Sequence, residues 1–267
     1  MSRSSWLVDF LMRGFPRRFA LARATRLPVI DRVVDRALFG GDDIMYLPQD
    51  RVVEVGRVIE SAGQTFLPSQ AADHFIERSS HRFIMDWCIC RKASGCKDYP
   101  LDLGCLFLGE ATLKIDPSLG HMATKEEAIA HLRKCREAGL AHLVGRNKLD
   151  SLWLGTGQED RLLTICNCCP CCCLWKILPS LAPAIGSKVT KMPGLAIEVT
   201  DRCTGCGACA KTCFMNAITI EAGRAIISDQ CRGCGRCAVK CPRGAIEVRM
   251  GDLDETVRRI TAAVDVT

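Results

Sequence analysis

The 267-residue chain carries nineteen cysteines, and eight of them stand in a pattern that dictates chemistry. Cys203, Cys206, Cys209 and Cys213 follow the spacing C-x2-C-x2-C-x3-C, Cys231, Cys234, Cys237 and Cys241 repeat it, and Pro242 closes the second run. Three thiolates two residues apart on a tight loop can converge on one soft metal centre, and a short helix after them carries the fourth thiolate away. Gly205, Gly207, Gly233 and Gly235 stand between the cysteines, where a missing Cβ lets the backbone turn closely and aim N–H groups at an anion. Paired CxxC motifs also serve zinc and disulfides, but the doubled run with its additional cysteine suits cubane clusters better.

The repeat extends beyond the cysteines, since CFMNAITI matches CPRGAIEV. Strands are predicted at Leu195 to Val199, Ala217 to Ile220, Ala225 to Ser228 and Ala245 to Val248, with Glu221 to Arg224 as the turn between the middle pair. Residues 193–250 therefore resemble the two-cluster bacterial ferredoxin family. That resemblance implies one-electron transfer at low potential through two [4Fe-4S] clusters, in which each fourth cysteine serves the opposite cluster. Cys203, Cys206, Cys209 and Cys241 would hold one cluster, and Cys231, Cys234, Cys237 and Cys213 the other. Phe214 departs from the family, which usually has proline after the fourth cysteine.

The other eleven cysteines are not scattered. All but Cys135 fall into two groups: Cys88, Cys90, Cys96 and Cys105, then Cys166, Cys168, Cys169, Cys171, Cys172 and Cys173. Each group follows a predicted strand end, where sites in α/β sheets usually form. The expectation is a single composite metal centre built from both groups, an additional iron–sulfur cluster ahead of structural zinc or a dithiol redox site. Overlapping CxxC pairs leave the ligand set open, and an extended segment would send Cys168 and Cys169 to opposite sides. Cys135 reads as a small buried hydrophobe on a helix.

No catalytic residue stands out. His74, His81, His121, His131 and His142 show no ligand spacing, Gly155 and Gly157 lack a phosphate-binding fingerprint, and Asp98 and Asp102 read as surface carboxylates. Arg232, Arg236, Lys240 and Arg243 lie among or just after the second loop's cysteines, where positive charge would raise a cluster's potential or meet an acidic partner.

The elements that must position these groups read as an α+β chain. Residues 1–45 form a basic amphipathic arm with eight arginines before position 37, suited to an anionic membrane surface, a docking partner or the protein's own core. Residues 46–192 form a Cys-rich mixed α/β domain, residues 193–250 the ferredoxin-like domain and residues 251–267 a C-terminal helix, with KMPG at Lys191 to Gly194 as a hinge. Within the second region, helices are predicted around Val52, Val53, Val55 and Ile59, after an N-cap at Ser69, and from Thr124 to Gly139 behind a capping box. Strands are predicted at Arg82 to Ile89, Leu140 to Val144 and Arg161 to Ile165.

The formal charge of +6 gives nucleic-acid binding little support, because each cubane with four thiolates adds about two negative charges. No apolar run is long enough to span a bilayer and no signal peptide opens the chain, which together with the cubanes points to a reducing, cytoplasmic setting, membrane-associated if the arm docks there. The sequence therefore reads as an electron-transfer protein or oxidoreductase subunit of anaerobic metabolism that meets redox partner proteins. The alternatives are a reductase with its own upstream cysteine centre and a metal-handling or maturation protein.

Overall fold

The computed structural model describes residues 5–54, 58–59, 67–157 and 159–267. Among them the strands are, in chain order, β1 (Asp43–Tyr46), β2 (Val58–Ile59), β3 (Arg82–Met85), β4 (Leu106–Leu108), β5 (Gly120–Met122), β6 (Ala141–Arg146), β7 (Leu163–Cys168), β8 (Val189–Lys191), β9 (Ala196–Val199), β10 (Ile218–Glu221), β11 (Arg224–Ile227) and β12 (Ile246–Arg249). Seven form one sheet in the order β5-β3-β4-β7-β6-β1-β8. Every neighbouring pair in it is antiparallel except β1 with β8. β6 and β7 lie mid-sheet, and Leu143, Val144, Leu163 and Ile165 are fully buried. Consecutive apolar residues are what a sheet covered on both faces requires.

The helix Lys125–Glu137 starts as its sequence predicts. Thr124 Oγ1 accepts from Glu127 N at 3.2 Å, and Glu127 Oε2 accepts from Thr124 N at 2.8 Å. Its buried Ala128 and Leu132 share a core with Phe75 and Ile76 of the helix Ser69–Arg78. Ser69 is not that helix's cap. Pro68 takes the position, and the Ser69 N–H goes to Asp50 Oδ1 at 3.0 Å.

Two strand expectations shift in ways that matter for the cysteines. The predicted strand from Arg82 to Ile89 ends at Met85, and the chain turns through Cys88 into the short helix Ile89–Ala93. The strand predicted to end at Ile165 continues as β7 through Cys166 and Cys168.

In the C-terminal unit β9 pairs antiparallel with β12, and β10 with β11. The helices Ala208–Thr212 and Arg236–Lys240 each follow a glycine at φ 75, Gly207 and Gly235, where a side chain would be strained. The repeat in sequence is thus a repeat in structure. β2 joins this small sheet from upstream, Val58 lying opposite Val248 in parallel register. The apolar stripe from Val52 therefore gives one helical turn, Arg51–Glu54, and then a strand, while Val55 lies outside the described residues.

The predicted hinge is also corrected. Met192 is fully buried and shares a core with Leu195, Ile246 and Val248, and Pro193 O accepts from Asp252 N at 2.8 Å. Apolar packing overrides the local Pro and Gly signals there. The helix Leu253–Ala263 packs back through Ile260, and Arg259 Nε donates to Asp43 Oδ2 at 2.9 Å.

The basic arm is helical over Ser5–Gly14, Arg18–Ala24 and Ile30–Val34, and partly embedded. Val8, Ala22 and Phe39 are buried, and Arg26 Nε donates to Ser180 O at 3.1 Å. Phe10, Leu21, Leu27, Val29 and Val33 remain exposed among the arginines. No helix among the described residues is long and apolar enough to cross a membrane.

Candidate metal centres

Cys203, Cys206 and Cys209 of the first loop line one cavity together with Cys241 of the second. Cys237, in turn, lies within electrostatic reach of Cys231, Cys234 and Cys213. The crossing follows from the helix Arg236–Lys240, whose single turn separates Cys241 from the loop behind it.

Backbone donors treat these sulfurs as acceptors, with the same spacing in both halves. Gly233 N approaches Cys231 Sγ at 3.4 Å, and Gly205 N donates to Cys203. Ala217 N approaches Cys213 Sγ at 3.4 Å, and Ala245 N approaches Cys241 Sγ at 3.3 Å. N–H groups aimed at sulfur favour the thiolate form, the form that ligates a metal.

The two loops differ in surroundings. Cys206 is exposed, whereas the second loop is packed against the upstream sheet region. Gln49 N donates to Cys234 O at 3.2 Å, Arg232 Nη2 to Gly186 O at 3.3 Å, and the buried Arg236 donates to Cys168 O.

The ten upstream cysteines do come together, in two sets rather than one. Cys96, Cys169, Cys171 and Cys172 have their sulfurs all within 4.8 Å of one another. The other six form close pairs. Cys168 and Cys173 sulfurs are 3.2 Å apart, those of Cys105 and Cys166 3.7 Å, and Cys88 hydrogen-bonds Cys90. Cys90 senses Cys173 and Cys105, and Cys168 senses Cys105, so the three pairs share one neighbourhood.

Local structure explains the sorting. Leu106 pairs with Ile165 across β4 and β7, which sets Cys105 beside Cys166. Cys166 and Cys168 are two apart on β7 and project from the same face. After Cys168 the chain leaves the strand and turns at Pro170 to Cys172, so neighbouring cysteines there no longer alternate. The two cysteine groups expected to build one centre do meet, and where they meet the sulfurs sort into a compact four-thiol set and three close pairs.

Positive charge is buried between them. Arg91 has no solvent exposure; its Nη1 donates to Asn167 O at 2.9 Å and its Nη2 to Leu103 O. Burial works against the Arg91 charge, yet the sulfurs of Cys88, Cys169 and Cys105 raise its pKa above the ordinary guanidinium value. Arg236 behaves alike: burial opposes its charge, while Cys234, Tyr46, Cys168 and Cys173 sustain it. Among the described residues neither guanidinium pairs with a carboxylate, and the Nε of each is buried without a partner. Buried cations demand compensating anions, and the surrounding cysteine sulfurs are the groups at hand that could supply them.

Crowding gives the same answer from the sulfur side. The hydrogen bond from Cys90 pulls Cys88 down to about 6 while Cys90 is pushed up, so in the bare pair one thiol keeps its proton. Only added positive charge lets such neighbours ionise together. The donor set therefore fits thiophilic metal.

Sequence reasoning treated all ten cysteines as a group but missed Arg91 and Asn167, although an arginine between cysteines in CICRK and an asparagine in CNC were visible signals. Asn167 Nδ2 donates to Gly104 O at 2.6 Å, and its Oδ1 accepts from His142 Nδ1 at 2.8 Å. His131 Nε2 donates to the same Gly104 carbonyl at 2.9 Å. Burial drops His142 to about 3 and also lowers His131, so both are neutral supports of the Gly104–Cys105 backbone. A Cβ at Gly104 would collide with the Met85 carbonyl, which makes glycine necessary beside Cys105. Cys135 is fully buried and burial raises its thiol well above the ordinary range; Asp98 and Asp102 are exposed.

Residues 202–245 match the model of the 4Fe-4S dicluster domain. The chain carries a ferredoxin-like 4Fe-4S domain. The cysteine loops, their N–H···S bonds and all the cysteines that line the cavity fall within the matched segment, which makes this an iron–sulfur protein. No curated protein and no solved structure matches the chain. The upstream sets therefore rest on geometry and the ferredoxin-like domain on geometry and family together.

Proposed function

We propose that this protein relays single electrons between a partner that docks at the first cysteine loop and a thiolate centre enclosed by the upstream sheet. In this reading Cys203, Cys206, Cys209 and Cys241 hold one [4Fe-4S] cluster, Cys231, Cys234, Cys237 and Cys213 a second, and the six-thiol set a further iron–sulfur centre. Such clusters, when bound, supply one-electron exchange at a potential tuned by local charge and hydrogen bonds.

The observation that carries the reading is the placement of Arg236. It leaves the second loop, donates to Cys168 O and lies near Cys234 on one side and Cys173 on the other. A buried guanidinium between two thiolate centres lowers the cost of extra negative charge on either. Tyr46 and Phe214, with ring centroids 5.2 Å apart, help exclude water at the same junction. At the other end Cys206 is exposed, with the exposed Ile220 and Arg243 lining the same cavity, a small patch for a redox partner. The exposed apolar and basic residues of the arm supply a second docking surface, for an anionic membrane or an acidic partner. A reducing compartment suits thiolates of this density.

The test is iron and acid-labile sulfide per chain after anaerobic purification, with EPR of the dithionite-reduced protein. The expected result is more than about eight irons, a coupled pair of cubane signals, and an additional signal that disappears in the Cys105→Ala/Cys166→Ala protein. About eight irons, unchanged by that double substitution, would reduce the protein to a carrier with a docking domain.

A further inference from the structure

Among the described residues the four-thiol set is the group of more than two cysteines whose sulfurs are all drawn mutually close. Cys96, Cys169, Cys171 and Cys172 lie mutually within 4.8 Å, with Cys96 and Cys171 Sγ 3.5 Å apart. A tetrahedral ion with metal–sulfur bonds of about 2.3 Å requires sulfur–sulfur edges of roughly 3.8 Å. A cubane interposes four irons and four sulfides between its thiolates and holds them wider apart. The ferredoxin-like domain supplies the internal comparison: four of its eight thiols line one cavity, and among the described residues none of the eight forms such a compact group.

Backbone N–H groups serve two of the four sulfurs, Cys169 and Cys96. Cys172 N donates to Cys169 Sγ at 3.2 Å across a turn, three residues on. On the facing segment, Asp98 N and Tyr99 N donate to the Cys96 sulfur, two and three residues on. The same local hydrogen bond thus recurs on two chain segments that share no sequence repeat. The Arg91 side chain also hydrogen-bonds Cys169. Among the described residues no carboxylate or histidine joins the four thiols, and four thiolates by themselves complete a tetrahedral coordination sphere, the pattern of a structural ion rather than one that binds substrate.

We infer that Cys96, Cys169, Cys171 and Cys172 hold a single tetrahedral zinc ion, separate from the iron–sulfur centres. The ion ties the loop after Cys88 to the turn after β7. Cys90 and Cys105 come from the first of these segments and Cys168 and Cys173 from the second, so the ion fixes the two walls of the six-thiol set against each other. It is a positioning site for that set. The inference is independent of whether the protein relays electrons.

The experiment is zinc and iron analysis of the anaerobically purified full chain beside its Cys96→Ser/Cys171→Ser form, with EPR of both and cobalt exchange of the first. The expected result is about one zinc per chain, lost in the double variant, with the cubane signals of the ferredoxin-like domain kept. Cobalt in place of zinc should give the intense visible bands of a tetrahedral tetrathiolate, a readout on the unsubstituted protein that does not depend on the variant folding. Zinc absent and iron with sulfide lost in the variant would overturn the inference in favour of a cluster at these four thiols. No metal change together with two fewer titratable thiols in the parent would overturn it in favour of a disulfide. Loss of cubane signals from the parent protein would instead undo the electron-transfer reading and leave the zinc result standing.

Discussion

The ferredoxin-like domain and the upstream sheet region solve the same problem, gathering thiolates, by opposite means. In the former, four of the eight cysteines sit in two short loops whose glycines at positive φ bend the chain around the site, Cys209 and Cys237 open the helices that follow, and only Cys213 and Cys241 cross over. In the latter, partners such as Cys105 and Cys166, or Cys96 and Cys171, are 61 and 75 residues apart and meet only because strands pair and a turn follows β7. Local loops carry their own geometry and leave one face, at Cys206, open to solvent. Long-range assembly encloses its thiols, and burial then requires internal compensation, which Arg91 and Arg236 supply. Exposure suits exchange with a partner; enclosure suits a centre insulated from water.

That contrast breaks most visibly at the crossing cysteines. Cys213→Ala should abolish the cluster of the second loop while leaving that of the first, with iron falling by about four per chain and the spin coupling in EPR replaced by one isolated signal. Loss of the first loop's signal instead would mean that each run keeps its own fourth ligand.

Arg91→Met tests whether enclosure depends on buried charge. Removing one partner of a buried ionic set costs about 3–5 kcal/mol, so the free energy of chemical unfolding should fall by that amount, with a lower midpoint, and upstream metal should be lost first. Arg232, half-buried and bonded to backbone carbonyls, is the control; Arg232→Ala should cost no more than about 1 kcal/mol. Equal effects at both positions would erase the distinction between the regions.

The smallest expected effect lies at the junction. Arg236→Gln keeps a side-chain donor for Cys168 O but removes the charge, and should lower the potential of the second-loop cluster by about 1 kcal/mol, roughly 40 mV for one electron. Redox titration followed by EPR reads this directly, and an unchanged potential would show that the guanidinium serves packing alone.

Much of the C-terminal half was legible because its information is local. The spacing of Cys203 to Cys241, the glycines between them and the alternating apolar residues after them predicted strands within one or two residues of β9 to β12. The capping box at Thr124 and Glu127 was equally local and equally readable. Errors arose where a distant surface decided the outcome. Val58 and Ile59 became a strand because β12 offered an edge, and KMPG became packed core because Met192 had an apolar pocket to fill.

By itself, then, the sequence determined which residues carry the thiols suited to a metal and, for the ferredoxin-like domain, how they would be arranged, since bond geometry over a few residues leaves few alternatives. It also named the ten upstream cysteines. What it could not determine was their sorting, because which sulfur faces which depends on strand register, on the turn at Pro170 and on where a helix brings Arg91. Those are properties of chain segments far apart in sequence. Tertiary structure alone placed Cys168 with Cys173, Cys169 with Cys96, and a buried cation between them.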